Sequence, residues 1–248
     1  MNIPVALQLY TVREETEKDF KGTLSKVAEI GYKGVEFAGY GGLSASELKK
    51  LLDDLGLKAA GSHVPYPAID SDLDRVIQYN LEIDNKYISI PYMEFEGKEE
   101  FIKTAEELNK AGEKCKEAGI QLCYHNHNQE FEVFDGTYGL DLLYQNSDAQ
   151  NLQVEIDTFW AKYAGVDPVE YINKYSGRIP LVHLKDMEAN EEKDFAEVGE
   201  GIMDIESIAQ AAEKAGAKWL IVEQDQCKRS PLESIEISFN NLKKMGLA

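Results

Sequence analysis

Apolar residues along the chain fall into short β-branched or aromatic runs, each followed by a longer stretch of helical period. The runs are ALQLY near Leu7, GVEF near Val35, KAAGS near Ala59, YISIP near Ile88, LCYH near Leu122, LQVEID near Val154, PLVHL near Val182 and WLIV near Leu220. One junction recurs: EIGYKGVEF around Gly31, DLGLKAAGS around Gly56, EAGIQLCYH around Gly119 and KAGAKWLIV around Gly216. A helix that ends at a glycine and leads straight into a strand reads this way, and its repetition suggests a repeated βα unit. Ser44 with Glu47 predicts a capping box at a helix start, and Pro231 to Met245 reads as the last helix. Strict alternation predicts a parallel sheet. Eight units in this length predict an α/β fold, a single (β/α)8 TIM barrel occupying residues 1–248. The absence of a Gly-x-Gly-x-x-Gly turn after the first run weakens the dinucleotide-binding alternative.

Side chains alternate across a strand, so each run splits by parity. One parity is apolar: Leu7 and Leu9, Val35 and Phe37, Leu122 and Tyr124, Val154 and Ile156, Val182 and Leu184, Leu220 and Val222. In a barrel this set faces the helices. The other parity carries Gln8 and Tyr10, Glu36, His63, His125 and His127, Glu155 and Asp157, His183 and Lys185, and Glu223. Ionisable groups inside a barrel are costly unless paired or bound to metal, so a ring of them at strand ends marks a site. All four histidines of the chain fall on this parity at strand C-termini.

A metal explains the ring economically. His125, Asp157, His183 and Glu223 come from four consecutive strands and can converge on one point. Their nitrogen and carboxylate donors suit one divalent ion, Mn, Co, Fe or Zn. The alternative is a hydrogen-bonded histidine–carboxylate network without metal. Glu155, two residues before Asp157, is expected deeper and in support of the ligands.

Composition narrows the partners. With 26 Lys+Arg against 45 Asp+Glu, the net charge of −19 argues against nucleic acid. No apolar run reaches the roughly 20 residues of a membrane helix, and MNIPVALQLYTVREE does not read as an export signal. Three scattered cysteines, Cys115, Cys123 and Cys227, suit a reducing cytoplasm. Lys185, Lys228 and Arg229 are too scattered for a phosphate site, and no Gly-rich phosphate cradle is present.

The stretches LQLYTVREE, GYKGVEFAGYGG, AAGSHVP, LCYHNHNQEF, EIDTFWAKYAGVDP, PLVHLKDM, EVGEGIMDI and WLIVEQDQ together resemble the xylose-isomerase-like TIM-barrel superfamily. The nearest resemblance is to its sugar phosphate isomerase/epimerase group. The superfamily also includes ketose 3-epimerases, inosose dehydratases and endonuclease IV. The resemblance implies a metal held by Glu, Asp, His and Glu from strands five to eight, of which Asp157, His183 and Glu223 match. Strand five departs from the pattern: where many relatives read Leu-Glu-Asn-His, this chain reads Tyr124-His125-Asn126-His127. In the epimerases two metal-bound glutamates exchange a proton on opposite faces of the substrate. Here only Glu223 remains of that pair.

The resemblance implies a divalent-metal-dependent sugar isomerase or epimerase, abstracting the proton alpha to a carbonyl of a sugar or polyol. Polarising that carbonyl stabilises the enediolate left behind. Glu223 is the first candidate base, with His63, His127 and Lys185 for the second proton-transfer role. Loss of the second glutamate shifts the expectation toward elimination, as in dehydratases and keto-glycoside lyases. Gln8 and Glu36 are candidates to bind substrate hydroxyls, Glu36 equally an internal ion pair. Tyr10, Tyr92, Phe159 and Trp160 are candidates for an apolar wall. Gly199-Glu200-Gly201, ahead of a helix cap at Asp204, reads as a tight turn or a lid. The competing readings are an endonuclease IV-like phosphodiesterase, which the charge disfavours, and a sugar-binding barrel without chemistry. A homo-oligomer is expected.

Overall fold

The computed structural model describes residues 3–248. Its parallel strands close into a barrel in chain order: β1 (Val5–Gln8), β2 (Gly34–Phe37), β3 (Lys58–His63), β4 (Tyr87–Ile90), β5 (Gln121–His125), β6 (Leu152–Asp157), β7 (Leu181–Leu184) and β8 (Trp219–Val222). Val5 opposite Leu220 and Leu7 opposite Val222 join the last strand to the first. A principal helix follows each strand: α1 (Phe20–Ile30), α2 (Ala45–Leu55), α3 (Tyr66–Glu82), α4 (Lys98–Glu117), α5 (Gly139–Gln145), α6 (Pro168–Lys174), α7 (Ile205–Ala215) and α8 (Pro231–Lys244). The (β/α)8 architecture read from the sequence is therefore the observed one. Among the described residues no helix is long and apolar enough to cross a membrane.

The predicted parity has a direct physical counterpart. Leu7, Val35, Leu122, Val154, Val182 and Leu220 are buried in the layer between strands and helices. The helices supply the other side of that layer from one apolar face; α2 buries Ala45, Leu48 and Leu52. Its start is the predicted capping box, and Gly56 ends it in the left-handed region at φ 68°. Inside the barrel, Ala6, Ala60, Cys123, Leu181 and Ile221 form a separate apolar plug. The plug lies below the polar residues that follow it on the same strands, such as Gln8, His125, His183 and Glu223.

The loop after β7 is clamped. The Asp186 carboxylate accepts from the backbone N–H groups of Met187, Gly199, Gly201 and Met203 at 2.8–3.0 Å. Of the two readings for Gly199–Gly201, the structure shows the fixed turn. Asp204 caps α7 through Ser207 N at 3.0 Å.

Candidate metal centre

Two layers of polar side chains lie above the plug. The lower contains Gln8, Glu36, Ser89 and Glu155, all fully buried, with His63 and two further histidines, His125 and His183, reaching into it. Register explains their meeting: His125 pairs with Glu155 across β5–β6, and Asp157 with His183 across β6–β7. On β2 the pairing shifts by one residue so that Glu36 lies opposite Gly61. A side chain at Gly61 would run into the Glu36 carboxylate, so only glycine leaves that carboxylate its place.

Glu155 is the hub. Its Oε1 lies 2.6 Å from His63 Nε2, 2.9 Å from His125 Nδ1 and 3.1 Å from His183 Nε2, and its Oε2 accepts from Ser89 Oγ. Glu36 Oε2 takes a second bond from His183 Nε2 at 2.7 Å and one from Gln8 Nε2 at 2.9 Å. Burial would raise the Glu155 pKa, but His63 and His183 outweigh it and hold the carboxyl well below its usual range. Burial and the Glu155 charge push Glu36 up.

In the upper layer His125, Lys185, Glu223 and Asp225 line a cavity of about 1090 Å³, and Asp157 and His183 are fully buried behind them. His183 Nδ1 and Glu223 Oε2 are 2.9 Å apart there, and His125 Nε2 is 3.6 Å from Asp157 Oδ2. Asp157 Oδ1 caps the short helix Thr158–Tyr163 through Trp160 N, which fixes the carboxylate. Lys185, 1% exposed, places Nζ 2.8 Å from Asp157 Oδ2, Glu223 Oε2 and Asp225 Oδ1. Burial alone would lower its pKa, but these carboxylates hold it well above the usual lysine value. Glu223, pushed up by burial, is held well below its usual value by the ammonium and by His183. Burial raises Asp225 to about 6.

His125, Asp157, His183 and Glu223 offer one donor atom each, all within 4.8 Å of one another. His63, His125, Glu155 and His183 make a second such group, which shares both histidines. The imidazoles decide between them. His125 Nδ1 and His183 Nε2 are bound by the lower carboxylates, while His125 Nε2 and His183 Nδ1 face the upper ones. Metal-binding histidines characteristically give their other N–H to a carboxylate. The upper four therefore fit a divalent ion, with Glu155 and Glu36 as acceptors behind it.

Residues 24–245 match the xylose isomerase-like TIM barrel family. The chain belongs to that family. Among curated relatives, the inosose dehydratase of Clostridium botulinum is 28% identical over 88% of this chain and 86% of its own length. That of Clostridium beijerinckii is 26% identical over 85% and 83%. A sugar phosphate isomerase/epimerase structure from Parabacteroides distasonis superposes with a TM-score of 0.87 at 27% identity, covering 98% of this chain and 94% of the other.

Several expectations from the sequence change against this geometry. Gln8, expected to bind substrate, has no exposed surface and is spent on Glu36, and of the two readings for Glu36 the internal ion pair, with His183, is the observed one. Parity shows which face a residue takes but not its height in the barrel, and both sit one layer too low. Phe159, expected in the wall, is buried and stacks on Phe195 at 4.3 Å, away from the cavity. Tyr10, Tyr92 and Trp160 do line the cavity, as do His63, His125, His127, Lys185 and Glu223. His127 lies two residues past β5, on a loop fixed by the buried Glu130, which accepts from His127 N and Tyr124 Oη at 2.8 Å. Burial pushes His127 down to about 3 and His125 to about 4, so both are neutral near pH 7. Asp225 escaped notice. It continues the inward parity two residues beyond Glu223, where the strand has already ended.

Proposed function

We propose that this chain is a divalent-metal-dependent dehydratase or lyase acting on a keto-sugar or keto-polyol. His125, Asp157, His183 and Glu223 would hold the ion, which when bound polarises the substrate carbonyl and acidifies the neighbouring C–H. The observation that carries the reading is the arrangement around Lys185, whose ammonium touches Glu223 and Asp225 at 2.8 Å on one side of the cavity. Glu223 stays ionised and takes the alpha proton. Asp225, with its pKa raised to about 6, supplies a proton to the departing hydroxyl so that water leaves. Lys185 keeps the two carboxylates together and favours the anionic charge that develops between them. Elimination needs only this one side, and the inosose dehydratase relatives support the reading.

Isomerisation or epimerisation would need a proton delivered from a second side. The Parabacteroides neighbour favours that alternative, and His127, neutral and lining the cavity, is the group placed to serve it.

The test is reaction of the metal-loaded protein with a keto-inositol in deuterium oxide. Loss of water to a conjugated enone is expected, the alpha proton passing to solvent and deuterium at the alpha carbon appearing only in unreacted substrate. Exchange with inversion and no loss of water would replace the proposal with epimerisation. Neither loss of water nor exchange with the metal bound would overturn both.

A further inference from the structure

The cavity is larger than the chemistry at its base requires. At about 1090 Å³ it stands at the upper end of the roughly 300–1,000 Å³ that drug-sized ligands fill, whereas a single sugar ring is far smaller. The additional space runs from the metal centre between the β2–α2 loop and α3. Tyr40, Leu43, Val64, Ala68, Val76 and Tyr79 line it.

This wall is poor in hydroxyl-binding groups. Tyr40 and Tyr79 stack at 4.2 Å, and both hydroxyls are taken by the protein. Tyr79 Oη donates to Leu43 O at 2.8 Å, and Tyr40 Oη bonds with the Asn80 amide at 3.2–3.3 Å. Asn80 is held in turn by Ser62 Oγ and Asn85 Nδ2 at 2.9 and 2.8 Å. What the two tyrosines offer is ring carbon in a fixed position. The charged side chains of this part of the wall are Asp72 and Arg75, both exposed. A sugar hydroxyl placed here would give up water for few partners, whereas an apolar ring would be stabilised by leaving it.

We propose that this extension is a subsite for an apolar substituent of aromatic size carried by the sugar or polyol on which the metal centre acts. The proposal rests on the sugar reading above and names the substrate class more closely: a substituted sugar, not a free one. Continuity with the reactive centre argues for one molecule that spans both. The sugar reaches His127, Lys185 and Glu223 while its substituent lies along Tyr40, Tyr79 and α3.

The experiment compares calorimetric binding of phenyl β-D-glucoside and D-glucose, which serve as unreactive probes, to the metal-loaded protein. The phenyl glucoside is expected to bind on the order of tenfold or more tightly than glucose. Ala68→Trp, at an exposed position that lines the extension, is expected to abolish that difference and leave the affinity for glucose unchanged. Val76→Trp is the second blocking variant should the first fail to fold. Equal affinity for both probes, binding of neither, or a difference that survives both variants would overturn the subsite. Turnover of a keto-sugar with and without a phenyl substituent, read as loss of water or alpha-proton exchange, tests the underlying reading separately. Turnover without a phenyl preference in binding removes the subsite alone; a phenyl preference in binding with turnover of neither keto-sugar removes the chemistry and keeps the subsite.

Discussion

The two polar layers of the barrel are built from the same residue types and do different work. In the lower layer Glu155 meets three imidazoles and Ser89, Glu36 meets His183 and Gln8, and neither carboxylate touches solvent. In the upper layer Asp157, Lys185, Glu223 and Asp225 also bond to one another, but Lys185, Glu223 and Asp225 border a cavity. Carboxylates in a low-dielectric interior are tolerated only when paired, so the lower layer is an orienting frame that must remain intact. The upper layer can exchange its partners for a metal and a substrate. His125 and His183 belong to both: one nitrogen is fixed below and the other presented above.

The contrast is broken most severely from above. Asp157→Asn removes one anionic donor and is expected to lower activity by at least about 10³-fold, with bound metal lost. Elemental analysis beside the exchange assay checks this, and full metal retention would show that Asp157 is not a ligand. Asp225→Asn is expected to keep the metal and lower kcat by roughly 10²-fold or more, the scale of a lost general acid. A kcat within about twofold of wild type would remove Asp225 from proton transfer.

The lower layer should respond differently. Glu155→Gln leaves all four upper donors in place and disturbs only their orientation. A weakening of metal affinity by about 10–100-fold is expected, with activity restored at saturating metal. Titration with metal under chelator competition distinguishes this from the loss expected of a ligand variant. Activity that stays low at saturating metal would mean that Glu155 takes part in the reaction.

Much of this contrast was legible in the sequence, and the unread part has one physical source. Alternation along a strand fixes the direction of each side chain, so Leu7, Val154 and Leu220 could be placed outward and His125, Asp157 and His183 inward. Height along the barrel axis depends on strand stagger, which alternation does not encode. Glu36 and Glu223 share a parity, yet the first is sealed below with Gln8 and the second borders the cavity. The register shift after Val35 contributes to that difference. Asp225 lies past the end of β8, where alternation no longer holds by rule although it continues in fact.

The smallest expected effect concerns two neighbouring aromatics whose roles the sequence could not separate. Phe159 and Trp160 lie in the short helix Thr158–Tyr163, where consecutive residues project about 100° apart. Phe159 turns inward onto Phe195, while Trp160 lines the cavity and its buried Nε1 has no acceptor among the described residues. A substrate oxygen is the expected partner of this N–H. Trp160→Phe keeps a ring in the wall and removes only the donor. It is expected to raise KM roughly threefold to tenfold, the range of one neutral hydrogen bond, with kcat and Tm nearly unchanged. Phe159→Leu should do the reverse, lowering Tm through imperfect packing while KM holds. Steady-state kinetics and thermal melts on the two variants make the comparison. A KM effect from Phe159→Leu equal to that of Trp160→Phe would mean that the wall transmits packing to the substrate, and the separation between frame and working surface would fail at this point.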